Sequence, residues 1–382
     1  MLLIKNGQIN TMTSPEVFEG DILVDAGKIV SVGKDIAAPE GCEIYDASGK
    51  QVYPGFIDAH THLGLDGWAV DAVQGHDYNE MNDITACGLR AIDGINPMDI
   101  TLRDAARAGV TSVCTGPGSA NVLGGTFTAI KTVGKRIDNM IIKKEVAMKC
   151  AFGENPKRCY KDKTDSCRMT TAAKLREMLF LAREYARKLD AAGDDESKKP
   201  AFNMKLEALL PVIRGEIPLK AHAHRADDIF TAIRIAKEFG VKLTLEHCTE
   251  GHLIADELAK EGYPAAVGPT LGQASKYELR NKSFTTPGVL QRAGISVSII
   301  TDSSVIPQQY LPICAGLAVK AGMDRYEALK AITINPARHI GIEDRVGTLE
   351  AGKDADIVIC SGDPLFTDSS VDCVFINGEK VE

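Results

Sequence analysis

Short apolar runs recur along the chain in two rhythms. Over the first fifty residues, 2–10 (LLIKNGQIN), 20–24 (GDILV) and 28–33 (KIVSVG) are strand-like runs broken by Asn-Gly and Ala-Gly pairs, which punctuate short strands. The last forty residues repeat the pattern, with a strand at 356–360 and an Asn-Gly turn in CVFINGEKVE. Either end alone would bury too little to stand as an isolated hairpin, so the pattern predicts one small sheet assembled from both. Between the ends, strands expected at 52–60, 110–115, 127–132, 146–153, 218–224, 242–248, 264–268 and 295–301 alternate with amphipathic helices at 98–108, 171–189, 226–239, 252–261 and 325–334. In the helix at 226–239, Ile229, Ile233 and Ala236 share one face, with Asp228, Arg234 and Lys237 elsewhere. Gly109, Gly240 and Gly262 mark helix ends. Such alternation is the signature of a (β/α)8 barrel or a doubly wound sheet. The run 127–132 reads either as the third strand or as part of an excursion loop, and 190–200 (DAAGDDESKKP) as a solvated loop.

A length of 382 residues accommodates one barrel and a smaller satellite. The chain is 44% hydrophobic and 25% charged, as soluble globular proteins are. A formal charge of −8 argues against nucleic-acid binding, which needs a clustered basic surface. The ten cysteines form no CxxC pair and most lie in or beside apolar segments, where a thiol packs as a small hydrophobe. No apolar run approaches the ~18 residues of a membrane span. The start MLLIKNGQIN lacks a basic segment leading into an apolar one, so the expected compartment is the cytoplasm. Apolar segments rich in Cys and Met are compatible with a homo-oligomer.

Candidate chemistry gathers at strand ends. VYPGFIDAHTHL delivers His60 and His62 two residues apart, and positions i and i+2 of a strand face the same way, so both imidazoles can reach one ion. PLKAHAH ends in His222 and His224, LTLEH in His247, and VSIITD in Asp302. Parallel barrel strands all end on the face that carries the active site. Glu154 follows an apolar strand in MKCAFGENPKR. It reads either as a carboxylate bridging two cations or as a turn residue paired with Lys157 or Arg158.

Taken together, GFIDAHTHLG, AHAH, LEHC, ITDSS and RVGTLEAGKDADIVI resemble the amidohydrolase superfamily, in particular its imidazolonepropionase-like and dipeptidase-like members, over essentially the whole chain. The resemblance implies a (β/α)8 TIM barrel (residues 54–344) with a composite β-sandwich from 1–53 and 345–382. It implies one or two divalent ions, zinc being the expected one, with His60, His62 and Asp302 on the more buried ion and His222 and His247 on the second. The family's usual bridge is a carboxylated lysine at the end of strand four. The expected pattern is not found there, so Glu154 is taken in its place. His224 is expected to support the centre or face the substrate, while His76, His252 and His339 receive no role.

The activity implied is hydrolysis of a C–N amide bond by metal-activated water, with Asp302 and His247 as catalytic residues and Asp302 the general base. The expected partner is a small molecule: a cyclic amide, an N-acyl amino acid or a dipeptide. Lys157, Arg158 and Arg225 are either partners for its carboxylate or ordinary loop cations. Deaminases on this fold usually place a glutamate three residues after the strand-five histidine, where this chain has Arg225, so deamination is the second reading. A catalytically silent assembly protein is the third, and typical members of that class lose metal ligands that are all present here.

Overall fold

A computed structural model of the chain describes residues 1–67, 76–161 and 166–382. The N-terminal strands are β1 (Leu2–Asn10), β2 (Val17–Asp25), β3 (Lys28–Gly33), β4 (Glu43–Asp46) and β5 (Gln51–Pro54). The barrel strands are β6 (Phe56–Thr61), β7 (Val110–Thr115), β8 (Leu123–Lys131), β9 (Ile141–Ala151), β10 (Leu219–Ala223), β11 (Leu243–His247), β12 (Ala265–Val267) and β13 (Val297–Ile299). The chain returns through β14 (Ile357–Cys360), β15 (Val371–Ile376) and β16 (Glu379–Lys380).

Strands from both ends do share a sheet, ordered β16-β15-β14-β5-β1-β2-β3. Hydrogen bonds join it into one continuous sheet: β1 pairs β4 along its first half and β5 along its second. Leu2, Ile4, Ile22, Val52, Ile357 and Phe375 meet in its apolar core. The apolar run expected at 52–60 divides between the sheets at Gly55. There a Cβ would lie 2.0 Å from the Thr111 hydroxyl, so only glycine lets the chain pass.

The barrel sheet runs β6 to β13 in chain order and is nearly closed. It differs from a uniform (β/α)8 barrel in one place: β8 lies antiparallel to both β7 and β9. The cause is connection length. Only 116–122 join β7 to β8 and 132–140 join β8 to β9, whereas a parallel crossover needs a dozen or more residues. The run at 127–132 is therefore a strand, but a reversed one that begins at Leu123. Between β13 and β6 the Asp58 carboxylate spans the seam. It accepts from Thr301 N at 3.0 Å, Thr301 Oγ1 at 2.7 Å and Gln308 Nε2 at 2.8 Å.

Helices α1 (Ile100–Arg107), α2 (Glu154–Cys159) and α3 (Arg168–Ala192) are followed by helices over Ala226–Phe239, Ala255–Glu261, Thr286–Arg292, Leu311–Lys320, Arg325–Lys330 and Ile334–Ile340. The helix expected at 325–334 is divided between Arg325–Lys330 and the start of Ile334–Ile340, and Leu311–Lys320 is a further helix before them. Asp228, expected off the apolar face, is buried and pairs with Arg168 at 3.0 Å. In the expected loop at 190–200, α3 continues to Ala192 and a short 3-10 turn covers Glu196–Lys198.

Where the two sheets meet, buried Asp354 takes Lys28 at 2.6 Å, Lys131 at 3.0 Å and Arg345 at 2.7 Å, and Lys131 also reaches Asp356 at 2.6 Å. Against burial, these cations hold the Asp354 carboxyl well below the usual carboxylate range. Among the described residues, no helix is long and apolar enough to cross a membrane.

Candidate metal centre

Two clusters of ligand-type side chains form at the C-terminal ends of the barrel strands. His60, His62 and Asp302 bring one ligand atom each within 4.8 Å of one another, and so do His222, His224 and His247. In the first, His60 Nδ1 lies 2.9 Å from the Glu246 carboxylate and His62 Nδ1 lies 2.7 Å from the Gly116 carbonyl. Both acceptors can only accept, so each Nδ1 carries the proton and each Nε2 presents its lone pair inward. His62 Nε2 is 3.2 Å and His60 Nε2 3.7 Å from Asp302 Oδ1. Side-chain exposure is 15% for Asp302, 6% for His62 and 0% for His60, so the aspartate is the least buried member of this group, although its Oδ1 is buried.

The second cluster is built the same way. His247 Nδ1 donates to the Gly268 carbonyl at 2.7 Å, while His222 Nδ1 meets Ser119 Oγ and His224 Nδ1 meets Thr249 Oγ1, both at 2.8 Å. Burial holds these rings neutral: His222 and His224 lie well below the usual histidine value and His247 is pushed down to about 4. Burial also lowers His60, with Lys149 next in effect. His222 Nε2, His247 Nε2 and Asp302 Oδ1 are buried without hydrogen-bond partners. Buried polar atoms without partners are costly, and neutral imidazoles with inward lone pairs beside a carboxylate are a donor set suited to a divalent cation. The residues present fit a metal.

Below the clusters the barrel interior is ionic. Glu246 is fully buried and accepts from Lys220 at 2.8 Å, His60 at 2.9 Å, His339 at 2.9 Å and Thr244 at 2.8 Å. Burial would raise its pKa, but Lys220, His339 and His60 together hold it well below the carboxylate range. Lys149 Nζ on β9 lies 3.0 Å from His60 Nε2, and its charge depresses His60, His222, His224 and His247 alike, placing it between the clusters. Burial pushes Lys149 down to about 8.

Of the residues singled out in the sequence, His60, His62, Asp302, His222 and His247 come together, and His224 joins the second cluster directly. Glu154 does not join either. It opens α2 beyond the end of β9, and its carboxylate accepts from the Glu278 backbone N–H at 3.4 Å. The strand-borne side chain from β9 that faces the clusters is Lys149, near the strand's C-terminal end. The signal was present in AMKCAF, where a lysine interrupts an apolar strand. Arg225 is held by Asp227 at 2.8–2.9 Å. Arg158 is exposed and Lys157 half-buried on α2. His339, given no role in the sequence, supports Glu246, and His252 Nδ1 meets Thr286 Oγ1 at 2.9 Å. Tyr78 was also missed; its ring lies 5.1 Å from that of His62.

The sequence model of the Amidohydrolase family matches residues 51–381. This chain belongs to the amidohydrolase family. It is similar over its full length to the crystal structure of an amidohydrolase from Thermotoga maritima MSB8, with 40% identity, complete coverage of both chains and a TM-score of 0.96. It is 29% identical to amidohydrolase tasK of Hapsidospora irregularis over 94% of this chain, which spans 39% of that relative's length. Imidazolonepropionase of Porphyromonas gingivalis is 26% identical, over 92% of this chain and 85% of the relative. As an amidohydrolase, the chain is a hydrolase acting on carbon–nitrogen bonds, in agreement with the expectation from its motifs.

Proposed function

We propose that this amidohydrolase cleaves the C–N bond of a cyclic amide, an N-acyl amino acid or a dipeptide, with Asp302 as general base. The observation that carries this reading is the convergence of inward imidazole lone pairs on two clusters, with the Asp302 carboxylate in the first and its Oδ1 without a hydrogen-bond partner. An imidazole-rich, carboxylate-poor set suits zinc. A divalent ion held by His60, His62 and Asp302, and a second held by His222 and His247, would acidify a water and polarise the scissile carbonyl.

The chain's own groups do the rest. Asp302 takes a proton from the attacking water and returns it to the leaving nitrogen as the C–N bond breaks, leaving a carboxylic acid and an amine. His247 holds its place through the Gly268 carbonyl and stays neutral, so its Nε2 lone pair would be available to an ion. Lys149, not Glu154, is the side chain able to link the clusters. An amine held near pKa 8 is partly unprotonated at neutral pH and could carry the bridging carboxylate that the family resemblance implies.

A substrate carboxylate has cations to meet. Arg158 makes no ion pair among the described residues, and its charge bears on Tyr78, which covers His62. Lys157 is one residue away, while Arg225 is engaged by Asp227. Deamination is not favoured, since Arg225 stands where a glutamate would be needed.

The test is a panel of dipeptides, N-acyl amino acids and cyclic amides with protein loaded with zinc or manganese. Turnover of a carboxylate-bearing amide is expected; no hydrolysis of any member would sink the reading.

A further inference from the structure

The connection 268–285 leaves β12 at the face of the barrel that carries the clusters and carries three cations. Lys276 pairs with Glu278 at 2.7 Å and Arg280 with Glu250 at 3.3 Å. Lys282 has no carboxylate partner among the described residues, and its Nζ donates to the Gln273 carbonyl at 3.1 Å. The chain holds 52 acidic against 44 basic residues, so acids are not in short supply. Lys282 is half-buried, and burial alone pushes its pKa down, with no anion opposing the shift. It lines a narrow pocket of about 10 Å³, and His247 of the second cluster forms part of the wall. Thr249, Thr270, Ser283 and Thr286 add hydroxyls to that wall. Thr249 Oγ1 meets His224 Nδ1 at 2.8 Å and Thr286 Oγ1 meets His252 Nδ1 at 2.9 Å. Buried Thr270 has no side-chain hydrogen bond among the described residues.

We propose that Lys282 is a specificity-determining residue whose ammonium, with the hydroxyls around it, takes a carboxylate of the substrate beside His247. The inference rests on the hydrolase reading above and names the group that the substrate presents to the second cluster. A pocket of this volume admits one water-sized atom. Room for a single oxygen, one unpaired cation and hydroxyl donors together fit one end of a carboxylate and exclude a bulky or apolar group. Charge-assisted bonds of this kind are stronger than neutral ones, so the lysine is the group that discriminates. Arg158 bears on Tyr78, which lies against His62 of the first cluster. The two cations therefore attend different clusters, and an amide with two carboxylates would engage both.

The experiment measures binding of succinate and of its neutral diamide, succinamide, to the zinc-loaded full chain by titration calorimetry. Wild type should bind succinate the more tightly. Lys282→Met keeps the length of the side chain but not its charge. It should weaken succinate by about 10–100-fold, the worth of a charge-assisted hydrogen bond, and leave succinamide as in wild type. Lys282→Arg, which keeps the charge, should recover most of the loss, and Lys282→Gln carries the test if the methionine variant does not fold. In turnover, the neutral variant should raise KM for carboxylate-bearing amides by the same factor. Wild type that fails to bind succinate, a neutral variant that binds it as wild type does, or an equal loss of succinate and succinamide overturns the assignment. Loss of succinate in Lys282→Met without turnover of any amide by wild type would defeat the hydrolase reading and leave Lys282 as a carboxylate-binding residue.

Discussion

At the scale of single residues, the site depends on backbone that few side chains tolerate. Asp302 has φ +52° and His247 φ +71°. In an ordinary strand Glu246 and His247 would face opposite ways, yet both point inward, because His247 leaves the extended conformation. Asparagine tolerates the left-handed region as aspartate does. Asp302→Asn should therefore preserve the circular dichroism spectrum while lowering kcat by at least ~10²-fold, the lower end of a general base's contribution. Glu246→Gln removes the counter-charge of Lys220 and leaves one acceptor oxygen where two now serve His60, Lys220, His339 and Thr244. Ion affinity at His60 should fall about 10–100-fold in chelator competition. Arg158→Ala should raise KM for substrates bearing a carboxylate and leave neutral amides unaffected in steady-state assays.

At the scale of elements, the joint between the sheets is an ionic knot. Lys131→Met leaves Asp356 without its lysine and strips one of three cations from Asp354, and removing one partner of a buried pair costs about 3–5 kcal/mol. Urea unfolding should report a loss in that range. Folding lowers the Asp354 pKa, so its contribution is complete above the ordinary carboxylate value near ~3.9 and is lost progressively as pH falls below it. The wild-type stability curve should bend downward below about pH 4, and the Lys131→Met curve should bend less, because its Asp354 is depressed less.

The elements also show why parts of the chain were legible. His60 and His62, or His222 and His224, obey a period of two on strands whose neighbours are all apolar, so local pattern sufficed. The reversal of β8 is set by two short connections rather than by its residues, and its apolar run looks the same in either direction. Lys149 was missed because a lone lysine in a strand acquires meaning only from what lies opposite in space. Glu154 lies just past the strand, where it meets Glu278 rather than either cluster.

For the whole molecule, ion binding and folding should be coupled. Partnerless lone pairs at His222, His247 and Asp302 favour the cation-bound native state. A ligand at a thousand times its Kd adds about 4 kcal/mol of stability. Exhaustive chelation should lower the unfolding midpoint by several degrees in scanning calorimetry, with recovery on adding zinc. A chelated protein that melts at the same temperature would contradict this coupling.

The connection 116–122 between β7 and β8 touches both halves of the centre: the Gly116 carbonyl holds His62, and the Ser119 hydroxyl holds His222. It acts as a caliper whose two jaws are a backbone oxygen and a side chain three residues apart. Lengthening it by one residue would change the separation of the two side-chain clusters while leaving every member of them in the sequence, so their spacing is encoded in a segment that belongs to neither cluster.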